Sequence, residues 1–294
     1  LKNIDGEYYT PAEYVEKIAD TQTDKDGFTV ALYVDDVEGK NAFVEAAKAK
    51  GYDILEMNGQ LDSHYIQYYE SKNEKVRFVR VDSDVVENLI RKEERAAMSL
   101  SSEQQEIMRP VFESQMPTDA KIHYHVSFEA MSKDAAPVVI TQNEFMRRMK
   151  DMAATSGGEM SRFYGEMPDN FTITVNGNHP IVLDILGEVE REYGDKLRTM
   201  GKKITAAEQE EHRFEETIKG KKSEELTPEE RDMQEMLSKR ITELRTERDA
   251  RLEEIGKANN KVRQIIDLAL LSNGMLKGKN LSDFIQRSIT LIEK

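Results

Sequence analysis

Phe28-Thr29-Val30-Ala31-Leu32-Tyr33-Val34 is an apolar, β-branched run with no polar alternation. Such a run predicts a strand buried on both faces, as in a parallel sheet covered by helices. Working outward, the flanks agree. Upstream, Thr10-Pro11-Ala12-Glu13 is a helix start: Thr caps, Pro takes the first helical position and Glu reaches back. Downstream, Asp35 to Lys50 carries Phe43, Ala46 and Ala47 at helical spacing and stops at Gly51. Tyr52 to Met57 is a second strand, Leu61 to Ser71 a second helix near Asp62 and Ser63, and Lys75 to Val81 a third strand. Strands alternating with helices imply a parallel sheet with right-handed crossovers. Residues 1–95 therefore read as a small three-layer α/β domain.

That unit invites a nucleotide-binding reading, which its first turn opposes. Val34-Asp35-Asp36-Val37-Glu38-Gly39 contains no phosphate-binding glycine pattern, and adjacent aspartates repel a phosphate. A scaffold is the plainer reading.

Beyond it, residues 83–117 look helical and charged, with Pro110 expected to kink or bound a helix. The stretch 96–117 is the expected connection. Residues 118–294 then form a mixed α+β domain. Ile122 to Phe128 alternates as a strand with one buried face. Pro137 to Thr141 and Phe171 to Val175 are two more, the last closed by the turn residues Asn176-Gly177-Asn178. Half of residues 201–250 are charged, against 33% of the whole chain. Gly220-Lys221-Lys222 breaks this run, and Thr227-Pro228-Glu229-Glu230 starts a long helix. From Leu237, apolar residues follow at 3-4 spacing, with interruptions at Arg248 and Asn259. Residues 188–260 are thus a charged helical insertion: an antiparallel hairpin or short coiled coil, or a solvated helix laid on the surface. The fold class is α/β, α+β overall.

Composition limits the chemistry. The 294 residues carry a net charge of -14, which opposes nucleic-acid or polybasic membrane binding. The absence of cysteine excludes disulfides, thiol catalysis and cysteine metal sites, and fits a reducing cytoplasm. No apolar run approaches the roughly 18 residues of a membrane span. The chain opens at Leu1 with no initiator Met or signal-peptide pattern, which reads as a fragment or a processed product.

Candidate sites are few. His123 and His125 point the same way from one strand, but no third ligand lies at diagnostic spacing, so no metal is expected. Asp62-Ser63-His64 has the letters of a triad, yet neighbours in sequence do not make its geometry; a helix cap is the expected role. His179-Pro180 reads as a turn. No catalytic residue is expected. One segment stands out: five of the 14 methionines fall between Met146 and Met167. Phe145, Met149 and Met152 share a helical face with Met146 beside them, and Arg147, Arg148, Lys150 and Asp151 cover the other. The helix ends at Gly157-Gly158, and Met160, Phe163, Tyr164 and Met167 follow. Methionine suits surfaces that accept varied apolar partners; the alternative is core packed on the second sheet. In the tail, Leu268 to Lys294, residues Leu281, Phe284, Ile285, Ile289, Leu291 and Ile292 crowd one face of a helix too short to stand alone.

These residues also carry a resemblance. Pro137 to Ile140, Glu144 to Met152, Asn176 to Val182, Asp267 to Ser272 and the terminal helix resemble, in order, the C-terminal domain of the ninety-kilodalton heat-shock chaperones, in their bacterial form. Tyr14 to Glu16, Lys50 to Tyr52, Leu61 to His64 and Phe78 to Asp82 resemble the distal α/β part of that family's middle domain. The resemblance implies a stress-response protein-folding factor of the cytoplasm whose ATP-binding domain lies outside this sequence. It implies no cofactor in this stretch, with ATP and magnesium belonging to the whole protein, and no enzyme activity of its own. It implies a homodimer through Leu268, Leu271, Leu281, Phe284, Ile285, Ile289, Leu291 and Ile292. It implies a surface for non-native client proteins at Phe145, Met146, Met149, Met152, Met160, Phe163, Tyr164 and Met167. The segment from Gly187 to Asn260 departs from the family, whose members mostly have a short connection there. The competing reading is a structural scaffold or interaction module with a coiled-coil arm and no client binding.

Overall fold

The computed structural model describes the chain except residues 92–96, 157–161, 166, 223, 224, 293 and 294, and the side chains of 156, 291 and 292. The chain is mixed helix and strand, and it divides into two compact units. One holds Leu1–Ser99, Met116–His179 and Gln264–Lys294; the other holds Leu100–Gln115 and Pro180–Arg263. The boundaries expected at 95, 117 and 188 follow changes of sequence character, whereas these units follow contact.

The first unit begins with the expected α/β layers. Thr10 caps helix α1 (Pro11–Gln22) in a full capping box with Glu13. Strand β1 (Thr29–Val34) lies between β2 (Ile54–Glu56) and β3 (Val76–Arg80), all parallel, with Leu32 opposite Ile54 and Ala31 opposite Phe78. Helices α2 (Asn41–Ala49), α3 (Asp62–Lys72) and α4 (Val86–Leu89) connect and flank it. Alternation along β1 feeds two cores. Ala31 and Tyr33 pack with Tyr14, Ile18, Ile66 and Phe78 on one face. Val30, Leu32 and Val34 pack with Val44, Ala47 and Leu89 on the other. That is why the run at 28–34 has no polar side.

The same unit holds a second sheet of order β4-β6-β5: β4 (Ile122–Glu129), β5 (Val138–Gln142) and β6 (Asp169–Asn176). β4 runs parallel to β6 and β5 antiparallel. The turn after β6 does more than its letters suggest. The Asn176 side chain donates to Ser132 O at 2.7 Å, and that of Asn178 accepts from Ser99 N at 2.7 Å and donates to Ala97 O at 3.2 Å. Both asparagines are buried, so their hydrogen bonds fix separate loops around the sheet's end. Helix α6 (Glu144–Ser156) lies between β5 and β6 in sequence.

The second unit is helical. α5 (Ser102–Glu113) packs on α8 (Pro228–Ala258), which pairs antiparallel with α7 (Pro180–Ile218). Pro110 neither ends nor bounds α5, which runs three residues beyond it. His179-Pro180 is also more than a turn, because Pro180 opens α7. The hairpin settles the alternatives left open for the insertion. Leu197, Ile204, Ala207 and Ile218 are buried on α7, and Leu237, Ile241, Leu252 and Ile255 on α8. Arg240–Glu210 at 3.1 Å and Arg245–Glu208 at 2.6 Å bridge the two helices outside that seam. At the base, Gly256 lets α8 meet α5 closely: a Cβ there falls 2.3 Å from Val111 O. α8 stops at Asn259, whose side chain caps α9 (Asn260–Ser272) by accepting from Val262 N at 3.0 Å. Gly274, at φ +65°, turns the chain after α9. In the first unit α10 (Gly278–Ile292) then follows, tied to the later part of α9 by Gln264–Ser288 at 3.2 Å and the Arg287–Asp267 ion pair.

Candidate functional site

Helix α6 is amphipathic, but its orientation is the reverse of the usual one. The charged face is the attached face. Arg147 is buried, and its guanidinium donates to the Tyr33 hydroxyl and pairs with Asp151. Arg148 pairs with Glu70 at 2.9 Å and Glu144 at 2.6 Å, and donates to Phe78 O. Tyr33 in turn donates to Glu144 at 2.5 Å. Burial alone would lower the Arg148 pKa; Glu144 and Glu70 outweigh it and raise the net value, so the guanidinium stays charged. Lys150 holds Asp169 and Met167 O, each at 2.7 Å.

With the two arginines turned inward, Phe145 is left outward. Phe145 is 64% exposed, and Met146, Met149 and Met152 are half-buried. Phe163 is 63% exposed, with its ring edge-on to that of Tyr164 at 5.2 Å; Tyr164 and Met167 are half-buried. The expected helix end at Gly157-Gly158, and Met160, lie outside the described residues. Of the two readings of the methionine face, packed core therefore does not describe Phe145, and no side chain of the set that is described is fully buried.

The terminal helices carry the second set. Leu268 and Leu271 on α9 and Ile285 and Ile289 on α10 are 41–49% exposed. Phe284 is buried within the chain and Leu281 half-buried. The side chains of Leu291 and Ile292 lie outside the described residues.

The remaining candidates take structural places. The expected helix cap is not made, because Leu61 takes the cap position without a side-chain bond; Asp62 accepts from Gly59 N at 2.8 Å and His64 bonds Thr155 at 2.9 Å, so the two face different partners and form no relay. Asp35 pairs with Arg80, and Asp36 accepts from Gly39 N at 2.9 Å, so the turn after β1 closes on itself. His123 and His125 are exposed on one face of β4. Among the described residues no group of three or more metal-ligating side chains comes together, and no helix is long and apolar enough to cross a membrane. What residue-by-residue reading missed was the direction of α6. Its only signal was the pair of adjacent arginines, each able to bind a distant carboxylate or carbonyl.

The α/β layer, the mixed sheet and the terminal helices make this an α+β protein. The Hsp90 protein family model matches residues 2–201, and the chain belongs to that family. It is similar to bacterial relatives named chaperone protein HtpG. It is 42% identical over 290 residues to that of Bacteroides fragilis, and 39% over 292 to that of Porphyromonas gingivalis. Each match covers 99% of this chain but 42% of the relative, so the chain spans about two fifths of their length.

Proposed function

We propose that the chain is the C-terminal half of an ATP-dependent molecular chaperone of the cytoplasm, supplying homodimerisation and a surface for non-native client proteins. The observation that carries this is the orientation of α6: its arginines are taken up inside the unit and Phe145 stands 64% exposed. Such a face gains by apolar burial, about 25 cal/mol per Å², with little demand on shape. Methionine side chains adapt to different partners. The α9 and α10 residues join two copies, which raises the concentration of each arm for the other. ATP binding and hydrolysis belong to the whole protein, outside this stretch; the residues present make no bond and break none.

The test is a Met149→Asp, Met152→Asp double change in an assay of client aggregation. A folded variant that no longer suppresses aggregation supports the reading. A folded variant with full activity leaves the scaffold reading in its place. Unfolding identifies the face as core.

A further inference from the structure

Burial of an apolar face attaches most amphipathic helices to their protein. α6 is attached by charge. Among its described side chains, Arg147 and the small Ala153 are the buried ones. Its hold on the α/β layer runs through Arg147 to Tyr33, Arg148 to Glu70 and Phe78 O, and Thr155 to His64. The two arginine grips meet at one atom: Glu144 Oε1 accepts from Tyr33 and Arg148 and lies 3.4 Å from Arg147. Loosening one arginine therefore weakens the other. The network is also incomplete, since Glu144 Oε2 and Arg147 Nε are buried without a hydrogen-bond partner. Each unpaired buried group offsets part of what the paired ones contribute. Meanwhile, among the described residues, the two apolar clusters around β1 include none from α6.

We propose that α6 is an electrostatically latched element, positioned by Arg147 and Arg148, which undocks as a unit while the α/β layer stays folded. The latch is independent of what the apolar face binds, so the aggregation assay can fail while this result stands.

Hydrogen exchange on the full chain tests it. Gln matches Arg closely in intrinsic helix propensity, so Arg147→Gln with Arg148→Gln removes the arginine latch and, within the helix, costs only the pairs with Asp151 and Glu144, about 0.2–0.5 kcal/mol each. The expected result is exchange about tenfold faster or more in α6, with β1 and β3 unchanged. In the unaltered chain, α6 exchange also rises modestly toward about 1 M salt, since partly buried pairs are screened less than exposed ones. The double variant loses that salt dependence. Tyr33→Phe gives a smaller rise in the same amides. Unchanged α6 exchange overturns the proposal. So does a rise in β1 and β3 equal to that in α6, which would make the arginines part of the common fold.

Discussion

Asp82 shows how one residue can hold a sheet end. Its carboxylate is buried and bonded to Arg80, with Lys40 at 2.7 Å, while Arg80 also reaches Asp35 at 2.8 Å. Burial alone would push the Asp82 pKa up; Arg80 and Lys40 outweigh it and hold the carboxyl below its ordinary 3.8. A depressed folded value means the contribution is complete above the unfolded value and lost as pH falls through the folded one. Asp82→Ala leaves Arg80 buried beside fewer charges and is expected to cost about 3–5 kcal/mol in urea denaturation at neutral pH. Asp82→Asn is expected to flatten the loss of stability below about pH 4, read from denaturation midpoints across acid pH. A slope equal to that of the unaltered chain would remove Asp82 from the acid response. Nothing in the sequence marked this site. Arg80 and Asp82 were legible as strand-end residues, but Lys40 and Asp35 arrive from the turn after another strand.

At the scale of the element, two glycines in long helices separate packing from propensity. Gly256 on α8 faces α5, and a Cβ added to it would stand 2.3 Å from both Val111 O and Ser114 Oγ. Gly256→Ala is expected to destabilise by about 1–3 kcal/mol through the forced separation of the helices. Gly194 on α7 has nothing within 4 Å of the same position. Gly194→Ala is expected to stabilise by about 0.5–1 kcal/mol, since alanine has less backbone freedom to lose. Thermal denaturation of the two variants checks the opposite signs; equal shifts would refute the close approach. Helix starts were readable where the signal is local: Thr10 and Thr227 form the full capping boxes that their spacing with Glu13 and Glu230 predicts. Pro110 does not bound α5, because a helix packed along its length tolerates the lost backbone bond that an isolated one would not.

For the whole molecule, the exposed apolar residues Leu268, Leu271, Ile285 and Ile289 set the expected assembly. Light scattering should give twice the 33.8 kDa of the chain. Ile285→Asp with Ile289→Asp should return one subunit while circular dichroism stays unchanged, since both side chains are exposed. A dimer that survives moves the contact elsewhere, the α7–α8 arm being the next candidate. By itself the sequence determined the parallel sheet around residues 28–34, the second sheet, the helix caps and the ordered motifs that mark the family. Each depends on alternation, spacing or side-chain chemistry within about a dozen residues. Only the tertiary structure decided which face of α6 turns inward and where the chain divides into units. Periodicity shows that a helix has two faces. Which one is buried depended on Tyr33, Glu70 and Phe78, which lie 70 or more residues away in the chain and satisfy the arginines.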